Sequence, residues 1–180
     1  MVFIRSKSLS SREVPVTNPT RKEVTDGLTL AGIGYLTKKG FACDTELSVV
    51  PWGDLRTDVY GFNMQGEINI LEIKSCHADF KADNDRGKWK NYVKYAHKMY
   101  FLIRDKDLKW MEQYIPDLKE QGVGLMLLSS YSGLITVHTN AKKRRVPAPC
   151  RIGNLIRFAW RNAPFSRRKG TKRRRVFFQD

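Results

Sequence analysis

The stretch GEINILEIKS (residues 66–75) decides the fold class. Its isoleucines and leucine predict a central β-strand, which the charged residues Glu72 and Lys74 interrupt. Residues two apart on a strand face the same side, so these two charged groups lie together, with Ile73 opposite. A carboxylate and an ammonium at the buried edge of a sheet are costly unless they are paired or used. The stretch therefore predicts either an ion pair or a chemical site.

A second carboxylate comes from the strand before it. Thirteen residues lie between Asp58 and Glu72, and a turn at residues 64–66 divides them into two strands. A hairpin of this length can bring the two carboxylates together, and with a backbone carbonyl they make a hard oxygen site for Mg²⁺. A lysine beside them places positive charge where negative charge develops during attack on a phosphodiester. These residues alone leave the ion-pair and catalytic interpretations both open.

Hydrophobic periodicity on either side of the stretch predicts an α/β domain. Thr20 and Glu23 have capping-box spacing and predict the start of a first helix, which three glycines weaken. The order helix, three strands, helix, strand, strand, helix predicts a mixed sheet flanked by helices. The predicted strands are residues 41–50, 57–63, 67–74, 123–128 and 134–138, and the later helices are residues 87–101 and 151–161. Residues 107–120 add a shorter helical segment after the first of these, broken by Pro116.

Charge divides the chain into a nearly neutral part and a basic part. The net charge is +15, and residues 142–180 hold fourteen basic side chains against one acidic. We expect a polar arm (residues 1–19), one domain (residues 20–162) and a basic tail (residues 163–180). The basic runs predict contacts with nucleic-acid phosphates. The alternative is a solvated tail that helps solubility or acts as a sorting signal. The candidate side chains are Lys142, Lys143, Arg144, Arg145, Arg167, Arg168, Lys172, Arg173, Arg174 and Arg175.

Several classes of protein are not expected. No run of 18 apolar residues predicts a membrane span. The segment Gly32-Ile-Gly34 is too short for a nucleotide-binding loop, so no nucleotide cofactor is expected. Three cysteines without Cys-x-x-Cys spacing favour a reducing compartment and argue against a zinc finger. We expect the protein in a bacterial cytoplasm or nucleoid, or, if virus-encoded, in the host cytoplasm.

Asp58, the thirteen-residue gap and Glu72-Ile73-Lys74 resemble the core of the PD-(D/E)XK nuclease superfamily. Within it, the chain is similar to the MmcB family of DNA repair-related proteins. The resemblance covers several blocks in one order: residues 46–49, 54–59, 71–80, 88–92, 122–128 and 155–159. It implies the restriction endonuclease-like fold, with the order helix, strand, strand, strand, helix, strand.

The activity implied by this resemblance is that of a Mg²⁺-dependent DNA endonuclease, with Mn²⁺ as a substitute. Such an enzyme would act in DNA repair, recombination or replication. Asp58, Glu72 and the carbonyl of Ile73 would hold the metal. Lys74 would position or help to deprotonate the attacking water and screen the charge of the transition state.

The resemblance leaves further roles open. Glu46 is a candidate extra ligand, and Glu23 of the first helix competes with it for that role. Lys88, Trp89 and Tyr92 either contact the DNA backbone or pack a helix over the site. Two functional alternatives are a non-catalytic DNA-binding accessory protein with the nuclease fold and an RNA-binding protein. Pairing of two copies to cut two strands also remains open.

Overall fold

The computed structural model describes residues 18–50 and 55–163. In chain order the helices are α1 (Arg21–Lys38), α2 (His77–Asp85), α3 (Leu108–Met111), α4 (Ile115–Glu120) and α5 (Ala148–Asn162). The strands are β1 (Phe41–Ser48), β2 (Arg56–Asn63), β3 (Ile68–Ile73), β4 (Lys98–Arg104), β5 (Gly124–Leu128) and β6 (Ile135–Thr139). Short 3-10 helical turns join several of them.

The six strands form one mixed sheet in the order β1 to β6. Strand β2 is antiparallel to both β1 and β3, whereas β4 runs parallel to both β3 and β5. Strand β6 closes the sheet in the antiparallel sense. Every residue of β3 is buried, as expected for a central strand covered on both faces.

Each face of the sheet has its own hydrophobic core. Helix α1 covers one face, where Leu28 and Leu36 pack with Leu71 and Leu102. The other helices cover the opposite face, where Ile70 and Phe101 lie in the second core; the side chains packed there from the helices are Phe80, Met111, Leu118, Cys150 and Phe158. The alternation of neighbouring residues such as Ile70 and Leu71 between the two cores follows from the two-residue period of a strand.

The predicted α/β class is confirmed, and so is the mixed sheet flanked by helices. From α1 to β4 the elements have the order helix, strand, strand, strand, helix, strand, which is the order that the family resemblance implies. The capping box at Thr20 and Glu23 is present. Helix α1 is continuous despite its glycines, because Gly32 allows close contact with Leu71 and Leu102.

The predicted helix at residues 87–101 is wrong. Gly87 has a left-handed φ of 62°, two 3-10 turns follow it, and strand β4 begins at Lys98. The aromatic spacing that suggested a helix belongs to side chains that enter the core from irregular backbone. The five apolar residues 99–103 are typical of a parallel strand buried on both faces. The helix that precedes this region, α2, was not predicted.

Two further observations complete the fold. No helix in the described ranges is long and apolar enough to cross a membrane. The second basic run, Arg167 to Arg175, lies outside the described residues, as does most of the predicted N-terminal arm.

Candidate functional site

The pairing of β2 with β3 brings two carboxylates together at one end of the central strands. Val59 pairs with Leu71, so Asp58 and Glu72 occupy the next register position. Both residues lie on the face of the sheet that carries Tyr60 and Ile70. The Asp58 carboxylate also accepts a hydrogen bond of 2.6 Å from the backbone N–H of Ile73. The hairpin predicted from the sequence therefore places Asp58 beside Glu72 and Ile73.

Burial strongly affects both carboxylates. Burial raises the pKa of Asp58 to about 6, although the Ile73 hydrogen bond and the charge of Lys74 oppose the shift. Glu72 is only 2% exposed, and burial together with the charge of Asp58 raises its pKa well above the usual range. Its Oε1 atom is buried without a hydrogen-bond partner in the described structure. A cation bound between two adjacent carboxyl groups would stabilise their charged forms and so lower their raised pKa values.

Lys74 follows Ile73 and is 4% exposed. Its ammonium forms a close ion pair with Asp83 and lies 3.9 Å from Asp79, both on α2. Burial alone would lower the pKa of Lys74, but the Asp83 hydrogen bond and the charges of Glu72, Asp83 and Asp79 outweigh it and raise that pKa. Lys74 is therefore a fixed positive charge at neutral pH.

Sequence reasoning missed the two aspartates that hold Lys74. Asp79 and Asp83 are four residues apart on α2, so both project from one face of that helix. Asp79 also pairs with Arg21 at 3.0 Å, which links the start of α1 to the site. The sequence feature that could have revealed them is a pair of carboxylates at helical spacing soon after β3. Their role was missed because no helix was predicted there.

Of the two candidates for an additional carboxylate, Glu46 lies nearer the pair. Its neighbours on β1 pair with Val59 and Thr57, so Glu46 sits opposite Asp58, where a φ of 55° interrupts the ladder. Its charge is one of the influences that raise the pKa of Asp58. Glu23 instead closes the capping box of α1, with its carboxylate 2.7 Å from the Thr20 backbone nitrogen.

The residues after α2 divide between core and surface. Trp89 is buried, packs edge-to-face on Phe101 and donates a 3.1 Å hydrogen bond to Asn84. Tyr92 is also buried, and its hydroxyl donates a 2.6 Å hydrogen bond to the carbonyl of Arg56. Both side chains therefore serve packing, and only Lys88 of the three predicted contacts is exposed.

The exposed Lys88 still acts on the site electrostatically. Burial dominates the pKa of Asp58 and Glu72, and the charge of Lys88 opposes that effect at both carboxylates. A lysine that influences both groups from the surface is suitably placed to contact a phosphate approaching them.

The first basic run lies at the other end of the sheet. Lys143 pairs with Glu67 at 2.9 Å, and the backbone N–H of Arg144 donates to the carbonyl of His97. Glu67 precedes β3, whereas Glu72 is near its end, so about 17 Å of strand separates the two groups at about 3.3 Å per residue. Arg144 is half-buried and donates to the Gln121 carbonyl. Lys142, Lys143 and Arg145 remain exposed.

The ligand set for a metal is small. Within residues 18–50 and 55–163, no group of three or more His, Cys, Asp and Glu side chains is arranged to hold an ion. Asp58 and Glu72 alone would supply side-chain oxygens. Mg²⁺ commonly accepts one or two carboxylates and completes its shell with water and substrate phosphates, so two ligands are compatible with it.

The fold and the site together define the class of this protein. An α/β domain with the order helix, strand, strand, strand, helix, strand places an Asp, a Glu and a Lys at the end of its central strands. This arrangement fits the PD-(D/E)XK superfamily. The family model described as DNA repair protein MmcB-like matches residues 13–169, and the chain belongs to this family.

Two solved structures are similar to this chain. The SPO1766 protein of unknown function from Silicibacter pomeroyi is 23% identical, with a TM-score of 0.59 over 76% of this chain and 84% of that one. SfsA of Pyrococcus furiosus in complex with Ca²⁺ is 13% identical, with a TM-score of 0.35 over 64% of each chain. Among the curated proteins, none matches this sequence.

Proposed function

We propose that this protein is a Mg²⁺-dependent deoxyribonuclease that cuts DNA internally during repair. The observation that carries the proposal is the Glu72 carboxylate, which is buried beside Asp58 with one oxygen that has no hydrogen-bond partner among the described residues. A buried carboxylate with one unsatisfied oxygen destabilises a fold unless a ligand uses that oxygen. Membership of a DNA repair family supports DNA as the substrate.

Asp58 and Glu72 would hold the Mg²⁺ ion, with Mn²⁺ as a substitute and the Ile73 carbonyl as a further oxygen ligand. When bound, the ion would lower the pKa of a coordinated water and stabilise charge on the phosphate. The raised pKa values of the two carboxyl groups support this assignment, because burial disfavours their charged forms and a cation between them would stabilise those forms. Glu46, which is exposed and opposite Asp58, is suited to a water-mediated contact.

Lys74 would stabilise the transition state rather than accept a proton. A general base must lose its proton near neutral pH, and the carboxylates around Lys74 raise its pKa instead. Asp83 holds the ammonium in place, so the charge is directed towards the site before the substrate arrives. Asp83 and Asp79 therefore act as positioning residues.

DNA would reach this site past Lys88, with the basic tail supplying further phosphate contacts. The described chain ends at Ala163, one residue after Asn162, whose side chain donates a 3.2 Å hydrogen bond to Asp44 on β1. Asp44 and Glu46 share that strand, so the described chain ends on the side of the sheet that holds the carboxylates. Lys142 to Arg145 lie at the opposite end and would contact only a longer DNA.

A second candidate function is a DNA-binding accessory protein that retains the fold without cleavage. The observation in its favour is that Asp79 and Asp83 already pair with the ammonium of Lys74, while the described residues include no cluster of three or more metal-binding side chains. In that case the charged cluster would serve as a structural ion-pair network.

Cleavage of a labelled panel separates these functions. The panel contains single-stranded DNA, duplex, flap, fork, four-way junction and a matched RNA strand, each with Mg²⁺, Mn²⁺ or EDTA. We expect metal-dependent internal cutting of DNA that Glu72→Gln abolishes and Glu67→Gln retains, since Glu67 directly precedes the same strand, at its opposite end. Binding without cutting of any substrate would instead support the accessory protein, and preference for RNA would exclude both.

A further inference from the structure

Helix α5 is amphipathic, but its apolar side faces away from the sheet. Ile152, Leu155, Ile156 and Trp160 are all exposed, with Trp160 74% exposed. With Ala159 they form a stripe at three- and four-residue spacing, which we call the α5 stripe. Nothing in the described ranges covers it. A stripe of this kind is normally buried, so its exposure on a folded domain marks an interaction surface.

The orientation of α5 is fixed by its polar side. Arg161 pairs with Asp44 at 3.3 Å and also donates to the carbonyl of Glu46. Asn154 is fully buried and accepts a 2.8 Å hydrogen bond from Arg157. Turning the helix to bury the stripe would break the Arg161 contacts with β1 and expose Asn154. The outward direction of the stripe is therefore a property of the fold.

A groove and a projecting side chain lie on this helix at opposite ends. The groove has a volume of about 260 Å³ near the start of α5; its lining residues are Phe62, Gly66, Ala148, Arg151, Ile152 and Leu155. Trp160 lies eight residues beyond Ile152, which is about 12 Å along the helix at about 1.5 Å per residue. Apolar walls with one guanidinium are suited to an indole ring, which packs on aliphatic groups and stacks on arginine.

The geometry points to a two-fold dimer in which α5 packs antiparallel against α5 of a second copy of this chain. Each Trp160 enters the groove beside Ile152 of the other copy, and Ile156, midway between them, meets its own counterpart at the two-fold axis. A two-fold interface requires one surface to complement itself, and a projection and a groove on one stripe satisfy this requirement.

The exposed side chains of the α5 stripe supply part of the apolar area that a stable interface requires. A stable interface needs about 800 Å² from each partner, and a large aromatic side chain alone contributes roughly 150–250 Å². Met64, which is 98% exposed in the turn between two groove residues, Phe62 and Gly66, adds to the apolar surface near the groove. This proposal does not rest on the nuclease activity.

Sedimentation velocity of the full chain across a concentration series tests the dimer, with raised salt to screen contacts made by the basic tail. We expect wild type to sediment as a dimer and Trp160→Glu as a monomer at the same concentrations. Tyr131→Glu is the matched control, because Tyr131 is a fully exposed aromatic residue remote from α5. A monomeric wild type, or a dimer that Trp160→Glu leaves intact, overturns the proposal.

Disulfide trapping tests the antiparallel arrangement. Under mild oxidation, Ile156→Cys should give a covalent dimer, whereas Leu134→Cys, an exposed position in the β5–β6 connection, should give only the background of the native cysteines. Equal trapping at both positions overturns the two-fold arrangement.

In the sedimentation experiment, a wild-type monomer would indicate another occupant for the stripe, such as residues 164–180 or a different protein.

Discussion

Glu72 is a charged residue at a position where a central strand normally carries an apolar one. Its neighbours Leu71 and Ile73 pack in the core, while its own carboxylate is buried beside a second carboxylate. This electrostatic cost arises at the end of the strand, where the two carboxylates and Lys74 converge. Sites of chemistry commonly retain such costly groups, since removing the charge stabilises the fold but loses the function.

The same cost predicts the pH dependence of stability at Asp58. Its folded-state pKa of about 6 exceeds the value of 3.8 expected in the unfolded chain, so the folded protein binds the proton more tightly. The stabilisation is complete below pH 4 and is lost as the pH rises through 6. Asp58→Asn, which can still accept the Ile73 hydrogen bond, should therefore be more stable than wild type at pH 7, by about 1–3 kcal/mol.

Urea unfolding at pH 4 and pH 7 measures this effect. The difference in unfolding free energy between Asp58→Asn and wild type should be large at pH 7 and nearly absent at pH 4. Glu120→Gln, at an exposed position, is the control and should show no such change. Destabilisation by Asp58→Asn at pH 7 would contradict the inference that the charged form of Asp58 destabilises the folded state.

A double-mutant cycle tests the ion pair between Asp83 and Lys74. Asp83→Leu leaves the buried ammonium without its closest partner and should destabilise the protein by about 2–4 kcal/mol. The same substitution in a Lys74→Met background should cost much less, because no ammonium remains to be paired. The exposed pair Lys81 and Asp85 on the same helix is the control, with an expected coupling of only about 0.5 kcal/mol. Equal coupling in both pairs would contradict this account.

The residues of the site were predictable where they depend on strand geometry. The two-residue period places Glu72 and Lys74 on one face, and the length of the hairpin brings Asp58 beside them. Asp79 and Asp83 were not predictable in the same way, because their contact with Lys74 depends on how α2 packs after the strand. The burial of Trp89 and Tyr92 likewise depends on tertiary packing, which local spacing does not reveal.

Among the elements, β4 shows why a periodic pattern can mislead. Residues 89–100 place apolar side chains at three- and four-residue intervals, yet the structure contains two 3-10 turns followed by a strand. A helix, or two turns followed by a strand, can bury the same side chains, so the pattern of apolar residues alone does not distinguish the two structures. The continuous apolar run at residues 99–103 favours a strand, and Gly87 in its left-handed conformation ends the preceding helical segment. The remaining predicted strands agree with the observed ones to within two residues.

Helix α1 offers a matched pair of glycines. A Cβ at Gly32 would lie 3.0 Å from Leu71 and 3.2 Å from Leu102, whereas a Cβ at Gly34 would meet nothing within 4 Å. Gly34→Ala should stabilise the protein by about 0.5–1 kcal/mol, because alanine has the higher helix propensity. Gly32→Ala should lose that gain to crowding in the core. Thermal unfolding of the two variants measures the difference, and equal stabilisation would show that α1 does not pack closely on the sheet.

The whole molecule separates its charges into different regions. The buried carboxylates lie at one end of the central strands, the first basic run lies at the other, and α5 ends beside Asp44. This distribution predicts that the tail and the first basic run differ in their importance for DNA bound at the site. Sequence alone showed the excess of positive charge but not its position relative to the carboxylates, which depends on the topology of the sheet.

Deleting residues 165–180 removes seven basic side chains. The logarithm of the DNA association constant should then fall less steeply with the logarithm of salt concentration, since each lost phosphate contact reduces the slope by about 0.9. Binding to all DNA structures should weaken similarly, because phosphate contacts carry no sequence information. Fluorescence anisotropy across a salt series measures the slope. Neutralising Lys142 and Arg145 should change it less on a short duplex, and an unchanged slope after the deletion would exclude a role for the tail.

The central claim is that Asp58 and Glu72 form one divalent cation site, and calorimetric titration with Mg²⁺ in the absence of DNA tests it most directly. Wild type and Glu67→Gln should bind one ion with similar affinity, because Glu67 lies at the opposite end of β3 from the two carboxylates. Glu72→Gln and Asp58→Asn should each lose this binding while remaining folded. Equal binding by all four proteins, or binding by none of them, would contradict the account.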